Sequence, residues 1–76
     1  MEKKFKIIDT KTGQEVIVDF DRFYELLDMT ISEYYEINEI KKPYMYIYGC
    51  FIHELVKEDS VKIDHTIFEV FEQKIN

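Results

Sequence analysis

The chain has no tryptophan, one cysteine, one proline and two glycines among its 76 residues. With Cys50 alone, neither an internal disulfide nor a paired-cysteine zinc pattern can form. The sequence carries no phosphate-binding glycine loop, no HExxH and no serine elbow. No stretch approaches the roughly 20 apolar residues of a spanning helix. The charged start, Met1 to Ile8, argues against a signal peptide or membrane anchor. A single free thiol fits a reducing compartment, so the expected location is cytoplasmic. Bases are also scarce: 10 Lys and Arg stand against 16 Asp and Glu, a net charge of −6. That balance argues against direct binding of DNA, RNA or an anionic membrane, because phosphate contacts need Lys and Arg.

The acids that are present are concentrated. Glu15, Asp19, Asp21, Glu25, Asp28, Glu33, Glu36 and Glu39 make eight carboxylates in 25 residues, with Arg22 the one base among them. This stretch has a net charge of −7, and the other 51 residues together carry +1. A field concentrated on one part of a small protein attracts basic partners and repels nucleic acid.

A chain of this length reads as one domain, residues 1–76. It buries only about 60% of its unfolded surface, so its core is thin. Six Phe and six Tyr supply large buried areas per residue. Self-association is another way to bury more, and a homodimer is expected.

The expected fold class is α+β: an N-terminal β-hairpin, central short helices, further strands and a C-terminal helix. Phe5–Asp9 and Glu15–Phe20 read as strands joined by a turn at Gly13. Asp21 is the expected cap of a helix from Arg22 to Asp28. Thr30-Ile31-Ser32-Glu33 has capping-box spacing and predicts a second helix from Ile31, with strand as the competing reading over 30–40. Pro43 should close that helix. Tyr44-Met45-Tyr46-Ile47-Tyr48 alternates with period two and predicts a strand. Residues 50–57 fit either a helix or a strand continued past a bulge at Gly49. Ser60–Ile63 reads as a strand. Thr66-Ile67-Phe68-Glu69 repeats the capping-box spacing, predicting a final helix to about Lys74 that buries Ile67, Val70, Phe71 and Ile75.

Asp21, Glu25 and Asp28 are spaced by four and three, and Glu33, Glu36 and Glu39 by three. On helices each trio would lie along one face, with neighbours about 5–6 Å apart. Like charges at that spacing repel by a few tenths of a kcal/mol per pair. Duplex DNA carries a charge per about 1.7 Å of axis, or 3.4 Å along one strand. The trios are sparser than one strand, and two copies in a dimer come nearer to a duplex. Together with Asp19, this surface could fill the Lys/Arg groove of a DNA-binding protein. The plainer reading is a solvated face that keeps a hydrophobic small protein soluble. Asp19-Phe20-Asp21 is only a fragment of a calcium loop, without its glycine and bidentate glutamate.

Tyr44, Tyr46 and Tyr48 would project from one strand face and form a core or partner surface. A base-stacking platform would need a basic groove, and only Lys41 and Lys42 lie beside them. Cys50 and His53 could pair as thiolate and imidazole on a helix. The apolar run around Cys50 favours a small buried hydrophobe instead. With His65 they could offer three zinc ligands, but the spacing resembles no known site. No catalytic, metal or cofactor residues are therefore assigned.

In size, acidity and want of catalytic residues the chain resembles the small acidic proteins that phages of Gram-positive hosts use in host takeover. The segment Phe5-Lys6-Ile7-Ile8-Asp9-Thr10-Lys11-Thr12-Gly13-Gln14-Glu15 is similar in flavour to short phage reading frames. Some members of that group imitate DNA. The resemblance implies a partner class, a basic host nucleic-acid-binding protein, with an HU-like nucleoid protein the most economical choice. It also implies the host cytoplasm as the place of action.

Overall fold

A computed structural model describes residues 2–73. Six elements follow in order: β1 (Glu2–Asp9), β2 (Gln14–Val18), α1 (Phe20–Ile37), α2 (Tyr44–Glu58), β3 (Ser60–Ile63) and β4 (Thr66–Gln73). The strands form one sheet in the order β2-β1-β4-β3, and every neighbouring pair is antiparallel. The protein is thus a small α+β domain with a four-stranded antiparallel sheet and two helices.

The first hairpin forms as expected. Its turn works because Gly13 takes φ 77°, which a side chain would resist. The Gly13 N–H donates to the Asp9 carbonyl at 2.7 Å. Lys11 N–H donates to the Asp9 side chain at 2.9 Å, and Gln14 N–H to Thr12 Oγ1 at 3.2 Å. β3 also forms where the sequence predicts it, and Asp64 (φ 52°) turns the chain into β4.

The alternation of side chains sorts the sheet into two faces. Phe5, Ile7, Val18, Val61, Ile63, Phe68 and Val70 meet the helices. From α1, Phe23, Leu27 and Ile31 recur every four residues and are completely buried against this face. Leu55 of α2 joins them. The Phe23 ring stands edge-on to Phe68 at 5.5 Å and lies 5.2 Å from Phe5, so α1 is seated over the junction of β1 and β4. The other sheet face is uncovered among the described residues. It carries three lysines (Lys4, Lys6, Lys62) and three glutamates (Glu2, Glu15, Glu69), with Lys6 bridging Glu15 at 3.1 Å and Glu69 at 3.9 Å.

Several expectations need correction. The two predicted helices, Arg22–Asp28 and the one from Ile31, are a single helix. Its cap is Asp19, not Asp21: Asp19 Oδ1 accepts from the Arg22 N–H at 2.8 Å. Phe20 begins this helix and does not end a strand. Thr30 caps nothing, since its hydroxyl donates to the Leu26 carbonyl at 2.8 Å from mid-helix. The apolar stripe runs through it without a breaker, and burial of that stripe outweighs the local cap signal.

The helix ends at Ile37, six residues before Pro43. Pro43 opens α2, its carbonyl accepting from Tyr46 N–H at 3.1 Å. Residues 44–48 are therefore helix, where the sequence predicts a strand. Tyr44, Tyr48, Phe51 and Leu55 form one face at helical spacing, and that face packs on the core. Residues 50–57 continue the same helix.

The predicted C-terminal helix is strand β4, up to Gln73. Its capping-box signal fails because β4 is a central strand, paired with β1 on one side and β3 on the other. Phe68 and Val70 serve one sheet face while Ile67 and Phe71 serve the other, so the apolar pattern loses its period of two. The predicted helix end at Lys74 and the burial of Ile75 lie outside the described residues. Finally, Cys50 is exposed, where the sequence predicts a buried one.

Candidate functional site

Eighteen residues of unbroken helix decide how the acids of α1 are arranged. At about 100° per residue, Asp21, Glu25, Asp28 and Glu36 fall within an arc of about 80°. That arc lies roughly opposite the buried Phe23–Leu27–Ile31 stripe, and all four carboxylates are exposed. Ser32 fills the gap between Asp28 and Glu36. The row is about 22 Å long at 1.5 Å per residue.

The remaining predicted site residues stand elsewhere. Asp19 is occupied as the helix cap. Glu33 lies on the opposite flank of α1, lining a 230 Å³ hollow with Thr30, Tyr34 and the β3–β4 turn. Glu39 follows the helix, in left-handed backbone at φ 50°. Glu15 faces the open side of the sheet and pairs with Lys6. The middle third therefore neither scatters its acids nor gathers them all. It builds one row of four and leaves the trio Glu33, Glu36 and Glu39 divided.

Among the described residues, Asp21, Asp28 and Glu36 have no ion-pair partner, while Arg22 pairs with Glu25. The row also runs against local stability. Aspartate near the N-terminus of α1 suits the helix dipole, but Glu36 sits in the last turn, which holds no base. An acid there opposes the dipole by about 0.3–1 kcal/mol.

Tyrosines line the seam between this row and α2. Tyr44 Oη lies 3.0 Å from Ser32 Oγ, and its ring is edge-on to Tyr35 at 5.3 Å. Tyr35 donates its hydroxyl to the Lys42 carbonyl at 2.6 Å, fixing the connection between the helices. The Tyr48 phenol is pushed up to about 12, first by burial and then by a hydrogen bond to Asp28 and its negative charge. The predicted trio of tyrosines on one face is thus divided. Tyr44 and Tyr48 pack inward with rings 6.0 Å apart, while Tyr46 is 54% exposed under the Lys42 ammonium.

A second feature was not legible in the sequence. Phe5, Phe20, Tyr24, Val56 and Val70 line an apolar cleft of about 300 Å³ with Lys3 at its rim. Phe20 and Val56 are 59% and 73% exposed there. The feature's sequence signal was the apolar positions left over once the core stripes are assigned.

Cys50 and His53 are both exposed on α2, and His65 is exposed in the β3–β4 turn. No group of three His, Cys, Asp or Glu among the described residues could hold a metal ion. No helix among them is long and apolar enough to cross a membrane. No protein family, curated protein or solved structure matches the chain.

Proposed function

We propose that this protein is a non-enzymatic inhibitor that imitates DNA. It presents the outer face of α1 to the basic groove of a host nucleic-acid-binding protein, with an HU-like nucleoid protein as the first target to test. The observation that carries this reading is the row Asp21, Glu25, Asp28 and Glu36 on one solvent face. α1 holds five carboxylates and one guanidinium, a net −4, while the open sheet face is balanced. The field is therefore directed outward from the helix layer, where it steers a basic partner and displaces counterions from it.

The test is competition between this protein and duplex DNA for an HU-like protein. Wild type displaces the DNA, and the effect falls steeply with added salt. Asp21, Glu25 and Glu36 replaced together by Lys lose the effect. Glu33→Lys, on the other flank, retains most of it. A triple variant that competes as well as wild type removes the acidic row as the working surface.

A second reading rests on the apolar cleft beside Phe20 and Val56, which gives an interaction module without mimicry. Binding would then survive high salt and vanish with Phe20→Ala and Val56→Ala.

A further inference from the structure

The cleft beside Phe20 has walls of three chemistries. Phe5, Phe20 and Tyr24 supply aromatic rings, and Leu55, Val56 and Val70 an aliphatic wall. Phe20 meets Phe5 at 5.7 Å and 81°, and Tyr24 at 4.8 Å and 45°. Rings at such angles cannot share a plane, so they form a corner, with Phe20 largely open to solvent. The third wall is the carboxylate of Asp59. Asp59 ends α2 in left-handed backbone at φ 59°, and its carbonyl accepts from the Val70 N–H at 2.8 Å, which ties it to the sheet. Among the described residues its side chain has no ion-pair partner. Lys3 is also at the rim, but its register partner in β4 is Glu72, an acid directly opposite that offsets its charge.

We infer that this cleft takes an arginine side chain of a basic partner protein. The occupant follows from the walls. Arginine carries an aliphatic stem and a flat, delocalised cation whose N–H fork suits a carboxylate. The stem matches the aliphatic wall, the guanidinium the aromatic corner, and the fork Asp59. A lysine ammonium is more strongly hydrated and costs more to bring into such a corner. An anion would be repelled by Asp59. A wholly apolar group would cover that carboxylate without pairing it.

Position joins the cleft to the acidic row. Phe20 directly precedes Asp21. At about 100° per residue, Tyr24 lies between the buried stripe of α1 and the row, about 40° from Asp28. A protein with a net charge of −6 draws partners rich in Lys and Arg. The row gives such a partner a diffuse, salt-sensitive attraction, and the cleft adds one seated side chain that fixes how the partner lies. The inference deepens the proposed function and rests on it for the partner, whereas the arginine seat is testable without one.

NMR titration with Nα-acetyl-argininamide, and with its uncharged isostere Nα-acetyl-citrullinamide, tests the seat. The arginine probe should shift the signals of Phe20, Tyr24 and Val56, and the citrulline probe should bind at least about threefold more weakly. Phe20→Leu keeps apolar bulk without the ring, and Asp59→Asn suits the left-handed backbone. Each should weaken the arginine probe by a similar factor, while Lys3→Gln should tighten it. Glu33→Gln, on the far flank of α1, removes the same charge as Asp59→Asn and should leave binding unchanged. All four positions are exposed, so circular dichroism should stay native. Shifts confined to the acidic row overturn the inference. So does a citrulline probe that binds equally well, or a Lys3→Gln variant that binds more weakly. With the HU-like protein, Phe20→Leu should lower affinity and leave the salt dependence intact, and an unchanged affinity also overturns the inference. If the HU-like protein does not bind while the arginine probe still seats, the choice of target fails and the cleft stands, so the two ideas fail separately.

Discussion

Thr10 holds His65 with two hydrogen bonds: its N–H donates to the His65 carbonyl at 2.8 Å and its hydroxyl at 3.0 Å. The residues are 55 positions apart. The bonds tie the turn of the first hairpin to the turn of the second, at the end where β1 and β4 meet as Asp9 opposite Thr66. Thr10→Val keeps the shape and the backbone bond but removes the hydroxyl bond. The expected loss is about 0.5–1.5 kcal/mol, read from the urea midpoint. An unchanged midpoint would show that the turn-to-turn tie is idle.

Core truncation should be far more severe. Phe23 touches both central strands through Phe5 and Phe68 and is fully buried. Phe23→Ala should cost about 3–5 kcal/mol, comparable to the whole stability of a small domain. Ile17→Ala, on the exposed face, should shift stability by less than about 0.5 kcal/mol in the monomer. Thermal melts at low concentration compare the two. Similar melting points would place the core elsewhere.

The acid at the end of α1 offers a trade between stability and binding. Glu36→Lys should raise stability by about 0.3–1 kcal/mol, because it exchanges an unfavourable dipole contact for a favourable one. It should also weaken capture of a basic partner. If melting temperature and capture fall together, the variant has disturbed the fold and the row is structural.

Tyr48 supplies a pH signature. Its folded value is raised from the ordinary 10 to about 12. The neutral phenol is therefore favoured by folding. The stability it contributes is complete below pH 10 and is lost as pH rises through 12. Ultraviolet titration of the phenolates should show one tyrosine ionising last. Asp28→Asn removes the charge beside it and should bring that step down, with burial holding the remainder. A step that does not move would separate Tyr48 from the acidic row.

The local rules worked where a signal was short and self-contained. Gly13 between two apolar runs predicts the first hairpin, and Ser60–Ile63 reads as the strand it is. They misled where the chain's own partners outweigh local preference. Thr30 carries a cap signal that a continuous buried stripe overrides. Tyr44, Tyr46 and Tyr48 alternate like a strand, yet Pro43 opens a helix whose face is Tyr44, Tyr48, Phe51 and Leu55. β4 imitates a helix because a central strand must be apolar on both sides. The candidate site was legible as a cluster of acids but not as a row. Which carboxylates align depends on α1 being one helix, and that removes Glu33 and Glu39 from the surface shared by Asp21, Glu25, Asp28 and Glu36.

The order of residues alone placed the negative charge in the middle third, and its apolar patterning pointed to an α+β domain, because neither charge nor pattern depends on how the chain folds. Direction came from the fold. Packing of Phe23, Leu27 and Ile31 against β1 and β4 turns one side of α1 inward and the opposite side to water. Burial is a contest among all segments for one interior, and its outcome is written in no single stretch of the chain.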